Sequence, residues 1–149
     1  MKIALGCDHG GLNLKELIRE HLEKKGIEVK DFGTYTTASC DYPDISEKVG
    51  VEVRDGHFDF GILICGTGIG IGIAANKIPG VRAALCHDTF SAHATRQHNN
   101  ANILTMGERV VGPSLALDIV DTFLGASFEG GRHQTRIDKI TQLEEKYQR

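Results

Sequence analysis

A three-layer α/β sandwich, with a parallel sheet of about five strands between two layers of helices, is predicted by three features of this 149-residue chain. Short apolar, β-branched runs alternate with longer amphipathic segments along most of its length. Glycine or proline stands at many of the boundaries. A glycine-rich stretch directly follows the third apolar run, as at the strand-to-helix joints of Rossmann-like sheets. A composition of 40% hydrophobic and 25% charged residues is ordinary for a soluble globular protein, and the length suits one domain covering residues 1–149.

The elements follow in order. Residues 2–7 read as a strand and 11–25 as a helix, with Leu14, Leu17, Ile18 and Leu22 on one stripe and Gly26 as its stop. Ile27 to Phe32 reads as a second strand, and Pro43 opens a helix over 43–55. Residues 60–65 make a third strand, 69–77 a helix and 81–86 a fourth strand. Asp88 caps the next helix, 103–106 form a fifth strand, and Pro113 starts a helix reaching Leu124. Gly125, Gly130 and Gly131 then interrupt the chain before a final helix of about 132–148, where Ile137, Ile140, Leu143 and Tyr147 recur at helical spacing. A single apolar stripe set off by glycines can pack on its own domain or on a partner subunit, and the second case suggests a dimer.

Charge and composition exclude several function classes. Seventeen basic and 20 acidic residues give a net charge of −3, so no field draws nucleic acid, and the scattered aromatics form no stacking platform. No apolar run approaches membrane-spanning length and the first apolar run reads as a strand, which makes the cytoplasm the expected location. Cys7, Cys40, Cys65 and Cys86 include no two-residue pair, so reduced thiols are expected. The seven histidines show no pair spaced to share a helix face, so neither a metal nor another cofactor is predicted.

The densest chemistry lies at Cys65-Gly66-Thr67-Gly68-Ile69-Gly70-Ile71-Gly72. The third strand delivers a thiol into a turn whose glycines can aim backbone N–H groups at an anion or at the thiolate, ahead of a helix N-terminus. The alternate glycines miss the dinucleotide fingerprint, and no Walker lysine is present. A buried, inert cysteine at a generic strand–helix joint has the same sequence. Arg132 and Arg136, four apart with His133 between them, suit a phosphate fork, or equally a solvated turn pairing with carboxylates. His98 lies in the polar run Arg96 to Asn102, which suits a proton shuttle or a set of turn and cap residues.

Taken together, Gly6 to Gly11, Asp41 to Asp44, Cys65 to Gly70 with Ile73 to Lys77, Cys86 to Asp88, His98 to Asn102, Met106 to Arg109 and Gly130 to Arg136 resemble the ribose-5-phosphate isomerase B family, which also embraces the galactose-6-phosphate isomerase subunits. The motifs stand in the family's order from Lys2 to about Ile140. The resemblance implies an aldose–ketose isomerase that works through an enediolate without a cofactor. It implies Cys65 as the base between C1 and C2, Gly66 to Gly70, with Gly68 and Ile69, as the enediolate cradle, and Thr67 near the reacting oxygens. His98 would open the furanose ring, and Asp8, Tyr42 and Asn99 would contact the sugar. His9, Arg132 and Arg136 would hold the phosphate, with Arg109 and His133 nearby. In the family the His98 cluster and basic tail serve the neighbouring subunit's site, so a homodimer with composite sites is expected, or a tetramer of such chains. A glutamate-using branch carries its acid where this chain has Ile71, which indicates the thiol branch. Ser46 stands where a small apolar residue is expected. Isomerisation of a six-carbon sugar phosphate, and nucleotide sensing without catalysis, remain the alternatives.

Overall fold

The computed structural model describes residues 1–148. Five parallel strands, β1 (Lys2–Cys7), β2 (Glu28–Asp31), β3 (Phe60–Cys65), β4 (Ala83–Leu85) and β5 (Ile103–Gly107), lie in the order β2-β1-β3-β5-β4. Six helices accompany them: α1 (Leu12–Lys24), α2 (Tyr42–Arg54), α3 (Ile69–Ala75), α4 (Thr89–Asn99), α5 (Pro113–Gly125) and α6 (Arg132–Tyr147). The expected α/β sandwich is present.

Two apolar clusters flank the sheet because its strands carry side chains of both faces into core. Leu14, Ile18 and Leu22 of α1 pack with Ala92 of α4 and Ile119, Val120 and Phe123 of α5 against Ile3, Leu5, Ile62 and Ile64. On the other face Ile45, Val49 and Val53 of α2 join Ile71 and Ala75 of α3 over Ala4, Leu63 and Ile103. Both faces of β1 and β3 are therefore buried, which accounts for their continuous apolar runs. Gly11 permits the close approach of α1, since a Cβ there would lie 2.7 Å from the Ile64 carbonyl oxygen.

Two elements are shorter than expected, and two polar residues, Lys15 and Ser46, are buried. Strand β4 is shorter than 81–86, because Arg82 N–H turns to the Asn102 side chain at 2.8 Å. Helix α3 stops at Ala75, and the next residue, Asn76, uses its amide to pair both backbone groups of Ala83, at 2.8 and 2.9 Å. That amide covers part of the exposed edge of β4. Lys15 is fully buried on α1, where its ammonium reaches Asp31 at 2.8 Å and the Thr34 carbonyl oxygen. Ser46 is also buried, and its hydroxyl donates to the Ile71 carbonyl at 2.8 Å, so a polar group sits comfortably at the position expected to be apolar.

The α6 stripe is divided. Ile137 is buried within its own chain, whereas Ile140, Leu143 and Tyr147 remain 45%, 56% and 68% exposed. Ile137 anchors the helix, Ile140 and Leu143 are half covered where they line a cavity with Val81, Ala83 and Asn99, and Tyr147 is the most exposed of the stripe. No helix among the described residues is long and apolar enough to cross a membrane.

Candidate active site

The chain leaves β1 towards β2 on one side and later returns to β3 on the other, so the carboxyl ends of β1 and β3 frame the switch point of the sheet. Open α/β sheets form their ligand crevice there. Strand β1 ends at Cys7 and delivers Asp8 and His9; β3 ends at Cys65 and delivers the glycine loop. Asp8 is buried and accepts the Gly10 N–H at 2.8 Å. His9 is exposed, and its Nδ1 accepts the Cys40 N–H at 3.3 Å. Asp8, His9, Cys40, Tyr42 and Asp44 line a cleft of about 580 Å³.

Cys65 is buried, and Gly68 N–H points at its Sγ from 3.0 Å. An N–H aimed at sulfur favours negative charge there. Gly68 makes this geometry possible with φ of +77°, and its carbonyl is held by the Thr105 hydroxyl at 3.0 Å. Thr67 is exposed, with Oγ1 accepting the Ile69 N–H at 3.3 Å. Ile69 is half exposed above the loop.

Two side chains close over the loop. The Arg109 guanidinium lies above Gly66, where a Cβ would meet Nη1 at 3.1 Å, and the Tyr42 ring covers Gly70, where a Cβ would come within 2.7 Å of Cζ. Backbone bonds from Glu108 N to Cys65 O at 3.0 Å and from Arg109 N to Gly66 O at 3.1 Å tie the loop to the end of β5. The Glu108 carboxylate accepts the Leu14 N–H at 2.9 Å and so caps helix α1 from a distance, its own N-cap residue Gly11 having no side chain to do so. Asp8, His9, Tyr42, Cys65, Thr67, Gly66 to Gly70 and Arg109 thus share one end of the sheet.

The remaining candidates share the other end. Helix α4 leaves the carboxyl end of β4 and finishes just before β5 begins, so His98 and Asn99 lie at the amino ends of the strands. Backbone pairing of Glu129 N with Gln97 O at 3.0 Å brings the start of α6 to the same place. His133 is buried and stacks on His98, with ring centroids 4.5 Å apart. Glu129 stands 3.5 Å from His133 Nε2 and 4.0 Å from His98 Nε2. Burial, with His98 and the Arg132 charge beside it, holds the His133 imidazole below the usual histidine range. Arg132 and Arg136 are exposed, and neither has a carboxylate within salt-bridge distance among the described residues. A strand of this length separates the two groups by roughly 15–20 Å, so one chain cannot bring His98 to Cys65.

Comparison with known proteins decides the family. The ribose/galactose isomerase family model matches residues 3–140. The chain belongs to the ribose/galactose isomerase family. Its relatives include the ribose-5-phosphate isomerase B of Escherichia coli strain K12, 52% identical over 97% of each chain. The solved ribose-5-phosphate isomerase B of Clostridium thermocellum superposes with a TM-score of 0.98 at 59% identity, over 99% of each chain. That of Mycoplasma genitalium, solved with bound ribulose 5-phosphate, superposes at 0.93 with 49% identity, over 97% of this chain and 96% of its own.

Within the isomerase family's scaffold, three residues had no functional reading from sequence. Lys15 falls three and seven residues before Ile18 and Leu22 on the buried stripe, a position at which a lysine signals a buried partner. Glu129 stands four residues before His133, a spacing masked by Gly130 and Gly131. Glu108 gives no local signal, because its partner Leu14 is 94 residues away.

Proposed function

We propose that the 149-residue chain is one catalytic domain that interconverts D-ribose 5-phosphate and D-ribulose 5-phosphate in the cytoplasm, as a homodimer with composite sites. The observation that carries the chemistry is the Gly68 N–H on Cys65 Sγ at the switch point of the sheet. In this reading the Cys65 thiolate takes the proton from C2 of the open aldose, leaving an enediolate, and returns it to C1 while the O2 hydroxyl proton passes to O1. The enediolate oxygens accept N–H groups of the loop from Gly66 to Gly70, with the Thr67 hydroxyl beside them. The reaction changes the position of a carbonyl by proton transfer alone.

Asp8, Tyr42 and Asn99 then contact the sugar, and His9, Arg109, Arg132, His133 and Arg136 surround the phosphate. Anchoring that remote dianion fixes C1 and C2 against Cys65. His98 opens the furanose ring. The placement of His98 and the arginines at the opposite end of the sheet supports delivery by a second chain, and the half-exposed Ile140 and Leu143 with the more exposed Tyr147 of α6 give that chain a face to bury. Four free cysteines favour a reducing compartment.

The test is a panel of pentose and hexose 6-phosphate substrates with the wild type and Cys65→Ala. Preference for ribose 5-phosphate, with a loss of about 10²–10⁴-fold in the variant, is expected. A hexose phosphate preferred by the wild type, or activity retained within about tenfold by Cys65→Ala, overturns the corresponding part.

A further inference from the structure

His98, Glu129 and His133 place two imidazole nitrogens and a carboxylate oxygen all within 4.8 Å of one another. We infer that this triad is a binding site for a divalent transition ion of the zinc type, and that the ion inhibits by occupying the groups that the composite-site reading gives to the sugar phosphate. His98 comes from α4, Glu129 from the loop entering α6 and His133 from the first turn of α6, so sequence spacing links only the last two.

The donor set selects the class of ion. Two imidazoles and one carboxylate suit Zn²⁺, Co²⁺ or Ni²⁺, whereas Mg²⁺ and Ca²⁺ prefer oxygen ligands. Glu129 Oε2 lies 3.5 Å from one Nε2 and 4.0 Å from the other, slightly wider than ligands around a zinc ion at ~2.0–2.1 Å, so each group need move inward by only about 0.4 Å. His98 and Glu129 are partly exposed and free to make that adjustment, while His133 is held by burial. The stacked rings, 18° from parallel, require one of them to tilt, and His98 is the exposed one. A fourth position facing solvent is left for water, as at open zinc sites.

One further feature favours the ion. Neither His98 nor His133 donates or accepts a close side-chain hydrogen bond among the described residues beyond the two contacts to Glu129, so an ion displaces no stronger partner. Bound there, it would hold the His98 nitrogen needed for proton transfer and stand between His133 and the incoming phosphate.

The test uses Co²⁺ as a spectroscopic probe on the full chain after chelator treatment. One Co²⁺ per chain is expected, with a ligand-field spectrum lacking a sulfur-to-cobalt charge-transfer band, and unchanged in Cys65→Ala. Glu129→Gln, a change on an exposed loop that keeps size and polarity, should weaken binding by at least about tenfold, the minimum expected when a ligand rather than its supporting partner is lost. Zn²⁺ should raise KM for the sugar phosphate in the wild type, reversibly with chelator, and do so much less in Glu129→Gln. A charge-transfer band, binding indifferent to Glu129→Gln, or no binding overturns the site. Co²⁺ bound as described while Zn²⁺ leaves catalysis untouched keeps the ion site, refutes its inhibitory role, and contradicts the part given to His98 and His133 in the composite site.

Discussion

Replacing Gly68 with alanine strikes the residue on which the loop geometry turns. Its φ of +77° costs an L-residue roughly 1–2 kcal/mol. The added Cβ would lie 2.6 Å from the Met106 carbonyl carbon and 2.8 Å from Met106 Cα, and 2.7 Å from Leu85 Cδ1. Leu85 can swing away, but Met106 belongs to the buried strand β5 and cannot. Restoring ordinary carbon contact near ~3.5 Å then requires the loop to retreat by roughly 0.9 Å. That retreat stretches the Gly68 N–H contact to Cys65 Sγ, now 3.0 Å, towards ~3.9 Å, the outer edge of a bond to sulfur, and so removes most of its strength. A bond to a charged group contributes about 1.5–3 kcal/mol, so the rate should fall roughly 10- to 100-fold. Strain and crowding together should cost about 2–4 kcal/mol, a Tm drop of about 5–15 °C for a chain of this size. Steady-state isomerisation and thermal unfolding measure the two effects. Gly125→Ala is the control, since its Cβ would meet nothing within 4 Å, and it should leave both nearly unchanged. Full kcat in a destabilised Gly68→Ala would refute the catalytic use of this N–H, and an unchanged Tm would refute the packing.

Other perturbations separate the remaining contacts. Burial pushes the Cys7 thiol up to about 12 and the Cys86 thiol to about 11, so peptide mapping after iodoacetamide at neutral pH should find Cys40 and Cys65 modified and those two untouched, with substrate shielding Cys65. Lys15→Met leaves the mostly buried Asp31 carboxylate without its cation and should cost about 3 kcal/mol, or roughly 6–12 °C in Tm, of which Lys15→Met with Asp31→Leu should recover part; no recovery in the double variant argues against the pair. His133 has a folded-state pKa below its unfolded value, so the unfolded chain binds the extra proton first, and stability is full above about pH 6.5 and declines below it. The groups facing it are His98, Glu129, Arg132 and Arg136. In chelator-treated buffer His133→Gln should flatten that acid limb of the Tm profile, and an unchanged limb would assign it elsewhere.

Most of the fold was legible because its signals are local. Apolar runs marked strands buried on both faces, Pro43 and Pro113 marked helix starts, and Asp88 capped α4 through Ser91 N–H at 2.6 Å. The edges of β4 and α3 were not, since they depend on the Asn76 and Asn102 side chains pairing with Ala83 and Arg82, residues distant in sequence. Half of the candidate site was equally legible: Asp8, His9, Cys65 and Thr67 follow directly from where β1 and β3 end. Sequence order says nothing of the separation between Cys65 and His98, which arises from the direction in which α4 crosses the sheet. It is equally silent on the cover that Arg109 and Tyr42 give to Gly66 and Gly70, a product of tertiary approach. Lys15 and Glu108 escaped for the same reason, their partners being brought together only by folding.

The account stands most directly on the claim that two chains complete each site. Cys65→Ala and an Arg132→Ala, Arg136→Ala chain should each be nearly inactive alone. Mixed under conditions of subunit exchange, statistical pairing makes about half the molecules heterodimers, each with one site receiving both intact halves, so about a quarter of wild-type activity should return. Heterodimers demonstrated by native mass spectrometry with no recovered isomerisation would contradict it.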